Sequence, residues 1–216
     1  MGDLDFEFEY WKNEFEHDSQ LLLKLILRYN QYFKKYFELS DDFIINKKIL
    51  DVGCGPNCSF EWAVDAFGIG LDHLIDKYNL EFKLSKYEDF IRIASKVEYI
   101  PFKNNVFDIV SSINSLDHVD DVDVSIKEIT RVLKKDGLFL LIVDINNTIN
   151  KCEPNNFQWN IDDIIIEYGY TLIVKKYYNK HHNGMYSSIS TDAYSIVLPN
   201  PEQKGVLLAK FKKIRE

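Results

Sequence analysis

The residues best suited to chemistry lie in Ile49-Leu50-Asp51-Val52-Gly53-Cys54-Gly55-Pro56, with Asp72 placed 21 positions after Asp51. A short apolar strand running into Gly-x-Gly removes side chains where the backbone must turn sharply. A ligand can then approach the main chain. A carboxylate ending the next strand, Asp72, can accept hydrogen bonds from both hydroxyls of a ribose. The pair points to an adenosine-containing cofactor. In a dinucleotide fingerprint a third small residue follows, and Cys58 stands there. Asp51 at the turn repels a pyrophosphate and attracts an ammonium or sulfonium cation. Further along, Asp117-His118 follows another apolar run, and an imidazole titrating near neutrality suits a general base. For His118, capping the following helix or bonding a neighbouring carbonyl is an equal alternative, and Asp117 is more often a cap or orienting group than a base. The acidic run Asp117, Asp120, Asp121 and Asp123 fits the preference of a helix N-terminus for negative charge. Cys54 and Cys58 read as small packing residues, and no metal is expected.

The elements that must position these groups follow from apolar patterning. Apolar strands are expected at 47–53, 68–72, 90–95, 107–113 and 138–144, with helices at 56–68, 74–84 and 122–133. Residues 5–39 read as helical, with Asp18-Ser19 as an N-cap. A helix at 162–168, strands at 169–178 and 206–214, and a long polar loop at 179–204 complete the chain. Continuous apolar strands alternating with helices imply an α/β fold with a Rossmann-like, doubly wound, mostly parallel sheet. Seven strands are expected, with an antiparallel C-terminal edge hairpin and an N-terminal helical lid. The expected organisation is one domain over 1–216, with the lid at 1–47, a cofactor-binding core at 48–144, and C-terminal strands with an acceptor-side loop at 145–216.

Composition sets the limits. The 216 residues carry 26 Lys+Arg against 34 Asp+Glu, a formal charge of −8, and 46% are hydrophobic. Such a chain can bury its own core. Its acidity argues against non-specific nucleic-acid binding. Three cysteines suit reduced thiols. The apolar run Leu21–Leu27 contains Lys24 and is too short to span a bilayer. An acidic start lacks the basic region of a signal peptide. The expectation is a cytoplasmic protein away from membranes, as a monomer or homodimer.

The segments ILDVGCGP (49–56), GLDHL (70–74), VEYIPFKNNVFDIVSSINSLDHV (97–119) and EITRVLKKDGLFLLIV (128–143) resemble, in order and spacing, the class I S-adenosylmethionine-dependent methyltransferases, in their small-molecule type 11 branch. Asn57 and Lys96 stand where that family often has a glycine and an acidic residue. The resemblance implies that Asp51, Gly53, Cys54 and Gly55 cradle the methionine end of S-adenosylmethionine. It implies that Asp72 binds the ribose beside His73 and Leu74, that Val97 and Glu98 flank the adenine, and that Ser112, Ile113 and Asn114 face the methionine group. The reaction it implies is in-line displacement at the methyl carbon, with S-adenosylhomocysteine as product and His118 and Asp117 as candidate catalytic groups. The expected acceptor is a small molecule methylated on O or N, such as a sugar or secondary metabolite, against Tyr10, Trp11, Trp159, His181 and Tyr186. Two other readings stand beside it: an NAD-dependent oxidoreductase on a Rossmann fold, and a non-catalytic protein that binds S-adenosylmethionine.

Overall fold

The computed structural model describes residues 3–18, 20–63, 65–82 and 90–215. Its strands are β1 (Lys48–Val52), β2 (Phe67–Asp72), β3 (Phe90–Ala94), β4 (Phe107–Ile113), β5 (Leu133–Ile145), β6 (Tyr170–Asn179), β7 (Ser195–Ile196) and β8 (Gly205–Lys213). They form one sheet in the order β3-β2-β1-β4-β5-β8-β6-β7. The first five are parallel in register, with Leu50 opposite Ile69 and Val110, and Ser112 opposite Leu141. β8 then runs antiparallel between β5 and β6. The eighth strand is the two-residue β7, inside the stretch read from sequence as loop.

The helices are α1 (Asp3–His17), α2 (Leu21–Gln31), α3 (Asp41–Ile44), α4 (Ile75–Phe82), α5 (Val122–Val132), α6 (Ile161–Glu167) and α7 (Met185–Ser190). Alternate residues of each strand feed two cores. Ile49, Ile109, Leu140 and Ile142 meet α2, α4 and α7 on one face. Leu50, Val110, Phe139 and Leu141 meet α5 and α6 on the other. Coverage on both sides is what permits strands without polar alternation.

Three expectations are corrected. The helix expected over 5–39 breaks at Asp18, whose carboxylate accepts from Gln20 N and Lys24 Nζ. It then widens into a π-helical turn at Tyr32–Tyr36. Ser19, the other half of the expected cap, lies outside the described residues, as do the last residues of the helix expected at 74–84. The helix expected over 56–68 is a series of turns. Asp51 accepts from Ser59 N at 2.6 Å, Glu61 accepts from Cys58 N at 3.3 Å, and Trp62 Nε1 donates to Ser59 O at 3.0 Å. These side chains take backbone groups that a helix would use. What remains are tight i to i+3 bonds such as Ala63 N to Phe60 O. The 179–204 loop contains α7, whose Met185, Ser188 and Ile189 are buried.

Two of the sequence segments turn out to be scaffolding. Arg131 on α5 donates to the carbonyls of Ile100 and Phe102, to Asn104 and to Glu128. Glu128 in turn accepts from Ile100 N at 3.0 Å. This clamp holds 100–104 onto α5. Arg131→Ala is expected to cost about 2 kcal/mol, because several charge-assisted bonds go at once from a half-exposed position. For a chain of this length that lowers the melting temperature by roughly 4–8 °C. A thermal melt monitored by circular dichroism checks it.

Candidate functional site

The parallel strands end together at one edge of the sheet, where such folds place ligands. After β1 the chain turns through Gly53 and Gly55, both with positive φ. Gly53 N and Cys54 N donate to Leu71 O at 2.7 and 3.2 Å, so the turn is tied to the end of β2. A Cβ on Gly53 would lie 2.3 Å from Ser115 Cβ. Only glycine fits there. Ser115 is itself fixed by bonds to Val52 O at 2.8 Å and Ser112 Oγ at 2.7 Å. Gly70 leaves room for the sulfurs of Cys54 and Cys58, which accords with the packing role read for both cysteines.

Asp72 lies at the centre of this edge. Its two oxygens accept from Gly55 N at 2.9 Å and from Leu74 N at 2.8 Å. The carboxylate is thereby oriented before any ligand arrives, and each oxygen keeps a further lone pair. His73 Nδ1 stands 3.7 Å away. Asp51 is buried and both its oxygens are engaged, by Ser59 N and by Ser111 Oγ at 2.5 Å. Burial pushes its carboxyl up to about 6 despite those bonds. Its carboxylate thereby ties the loop after the glycine turn to β4. Ser112 and Ile113 are buried at the end of β4, followed by Asn114 with φ of 56°. Val97 is buried nearby, while the Glu98 carboxylate accepts from Asp120 N and Asp121 N at the start of α5.

α1 lies across this edge. The Trp11 ring sits 3.4 Å from where a Gly55 Cβ would be, and Phe8 stacks on Tyr78 and Phe82 of α4. Glu7, on the same helix, is half-buried. Its carboxyl is pushed up to about 7 by burial and by the charge of Asp72, with Asp117 adding to the effect. Glu7 has no signal in the sequence. It is one acid among several on an aromatic helix, and only the docking of α1 singles it out.

The aromatic residues expected at the acceptor divide into two groups. Tyr186 Oη lies 3.0 Å from Tyr29 Oη, the Arg28 guanidinium covers the Tyr186 ring, and Tyr10 packs edge-on against Trp11. Asp51 exerts its charge on both Tyr29 and Tyr186, which places this cluster beside the glycine turn. Trp159 instead packs on Gly205 and Tyr177 and donates to Asn200 O. His181 stacks on His182 and meets Tyr194 edge-on, and its Nδ1 accepts from Asn183 N. Neither joins the group around Tyr186. Asp117 and His118 follow β4 in a short turn, with Asp117 buried and His118 half-buried.

Comparison with known proteins agrees with this geometry. A family profile described as a methyltransferase domain matches residues 50–141. An uncharacterised protein of Methanocaldococcus jannaschii is 30% identical over 156 residues, covering 70% of this chain and 65% of that one. A ubiquinone biosynthesis O-methyltransferase of Pelagibacter ubique is 32% identical over 120 residues, covering 51% of this chain and 47% of its own length. The chain thus spans just under two thirds of the first relative and about half of the second. The crystal structure of an S-adenosylmethionine-dependent methyltransferase from Mesorhizobium loti superposes with a TM-score of 0.58 at 14% identity, covering 82% of this chain and 99% of that one. A likeness at that identity concerns the fold alone.

Proposed function

We propose that this chain is a class I S-adenosylmethionine-dependent methyltransferase, a reading supported by the family match and the methyltransferase relatives, and that it moves a methyl group from S-adenosylmethionine to an oxygen or nitrogen of a small molecule. The observation that carries the cofactor assignment is the pre-oriented Asp72 carboxylate beside a glycine turn that follows a buried aspartate. Asp72 suits a ribose diol. The negative field of Asp51 and Glu7 suits a sulfonium and an ammonium, and opposes a pyrophosphate.

In this reading Gly53, Cys54 and Gly55 give the methionine end access to backbone, and Asp51 holds the turn in shape through Ser59 and Ser111. Ser112, Ile113 and Asn114 form the wall after β4. Val97 supports the adenine with its apolar side chain, and Glu98 contributes backbone, since its carboxylate is committed to α5. S-adenosylmethionine supplies an activated methyl group when bound. The protein's part is to align an acceptor and keep water out. Trp11 and Phe8, on a helix laid over the edge, serve the exclusion of water. Tyr10, Trp11, Tyr29 and Tyr186 form an apolar wall with hydroxyl tips, suited to a small acceptor of mixed polarity.

Calorimetric titration with S-adenosylmethionine, S-adenosylhomocysteine and NAD tests the proposal. Saturable binding of both sulfur nucleosides, one per chain, is expected, with no heat from NAD. A response to NAD alone would overturn it and return the glycine turn to the dinucleotide class. With the cofactor established, methyl transfer is read by formation of S-adenosylhomocysteine across a panel of hydroxyl and amine acceptors.

A further inference from the structure

Asp117 is 2% exposed, yet apart from its own backbone amide neither carboxylate oxygen has a donor among the described residues. Leaving a buried carboxylate unpaired is costly. The buried His118 Nε2 also has no partner among the described residues, and it lies 3.9 Å from Asp117 Oδ1. A third group reaches them from a distant part of the chain. One ligand-type atom each from Asp117, His118 and Glu153 lie within 4.8 Å of one another.

The approach of Glu153 is built in. The segment after β5 is bound to the turn after β4 by Asn155, whose N donates to Asp117 O at 3.2 Å and whose Nδ2 donates to Val119 O at 2.6 Å. Glu153 Oε2 accepts from Asn147 Nδ2 and Asn150 Nδ2, both at 2.8 Å. Such outer bonds fix a carboxylate's orientation in metal sites. The buried Asp144 at the end of β5 pairs with Lys180 through one oxygen and leaves Oδ1 unpartnered among the described residues. Its charge acts on Asp117.

We propose that Asp117, His118 and Glu153 bind a divalent metal ion. Two carboxylates and one imidazole supply two negative charges in neutral-imidazole form, which a divalent cation offsets. Ligands about 2.1 Å from one ion can stand at most about 4.2 Å apart. Three ligands at tetrahedral or octahedral cis angles stand about 3.0–3.4 Å apart, so small side-chain rotations must draw the three atoms in by up to roughly 1.5 Å from a spread within 4.8 Å. Imidazole beside carboxylates favours Mn²⁺, Fe²⁺ or Zn²⁺ over Ca²⁺. Three protein ligands leave positions on the ion open for water or substrate. Where the site rests on the methyltransferase reading, it narrows the acceptor to a hydroxyl, because a divalent ion lowers the pKa of a bound oxygen acid. The binding site itself does not depend on that reading.

The test is titration of the chelator-treated full chain with MnCl₂, followed by calorimetry and by the loss of the free Mn²⁺ electron paramagnetic resonance signal, then repeated with ZnCl₂. One ion per chain is expected, with a rise in melting temperature. Binding is expected to weaken at least tenfold in Glu153→Gln and in His118→Asn, with Glu81→Gln unchanged. Glu153 is half-buried, so its variant is expected to fold, and a thermal melt without metal verifies this. No saturable binding of either metal, or binding unaltered in a folded Glu153→Gln, overturns the proposal. Titration of the wild-type chain with S-adenosylmethionine in the presence of chelator reads the cofactor assignment separately, so the two can fail independently.

Discussion

Asp72→Asn is expected to weaken S-adenosylmethionine binding about a hundredfold. The carboxylate holds two backbone amides, Gly55 N and Leu74 N, and under the proposed function also accepts from two ribose hydroxyls. An amide keeps one oxygen. It can satisfy Leu74 N or Gly55 N, but not both, and it turns a donor toward the other. Weakened charge-assisted bonds to the ligand amount to roughly 3 kcal/mol, which is about two decades in affinity. Calorimetry of the variant measures this directly, and circular dichroism verifies that the sheet is retained. A variant that keeps wild-type affinity would place the ribose elsewhere.

The second large effect concerns Glu7 and pH in the ligand-free protein. The carboxyl has an ordinary value of 4.5 and is raised to about 7 in the fold, first by burial and then by Asp72. Between those values the folded protein keeps a proton that the unfolded chain has released. Stability therefore falls as pH rises through this window. The contribution is complete below about pH 4.5 and gone above about pH 7. Asp51, raised from 3.8 to about 6, acts with the same sign over a lower window. Allowing for some solvent contact at Glu7, about 2 kcal/mol is expected from it, or roughly 4–8 °C in melting temperature. Glu7→Gln, neutral throughout, is expected to melt above wild type at pH 8 and to show a flatter profile between pH 5 and 8. Parallel profiles for the two proteins would show that α1 does not hold Glu7 against Asp72 in solution.

Much of this arrangement is written locally in the chain, and the exceptions have a common cause. β4 and the glycine turn are legible because uninterrupted apolar runs and paired glycines have few alternative conformations. Residues 56–68 misled because Cys58, Phe60, Ala63 and Ala66 have a helix-compatible spacing, while the competing acceptors, Asp51 and Glu61, are long-range or side-chain groups. The ring of Phe60 is stacked 4.0 Å from Phe33, a contact that no local pattern announces. α7 did leave a trace, since Met185 and Ile189 are four apart, but the surrounding polar residues concealed it. Asp51, Asp72, Gly53 and Gly55 could be found in sequence because they sit on consecutive strand ends. Glu7 and Glu153 could not, because each reaches the edge through a segment docked from outside it. The motif residues Glu128 and Arg131 illustrate the converse: a recognisable pattern whose job is to clamp a loop.

The position of β8 bears on how the chain is made. It is the latest strand in sequence, yet it lies between β5 and β6 and pairs with both. Until residues 205–213 have emerged from the ribosome, β5 has an open edge along its whole paired length, and β6 has no place in the sheet. The nascent chain can assemble β1 to β5 with their helices, but it must carry that apolar edge exposed. Folding of the complete sheet is therefore a late event, set by long-range pairing rather than by growth from the first strands. During synthesis, the edge of β5 is where a chaperone would be needed and where aggregation would begin.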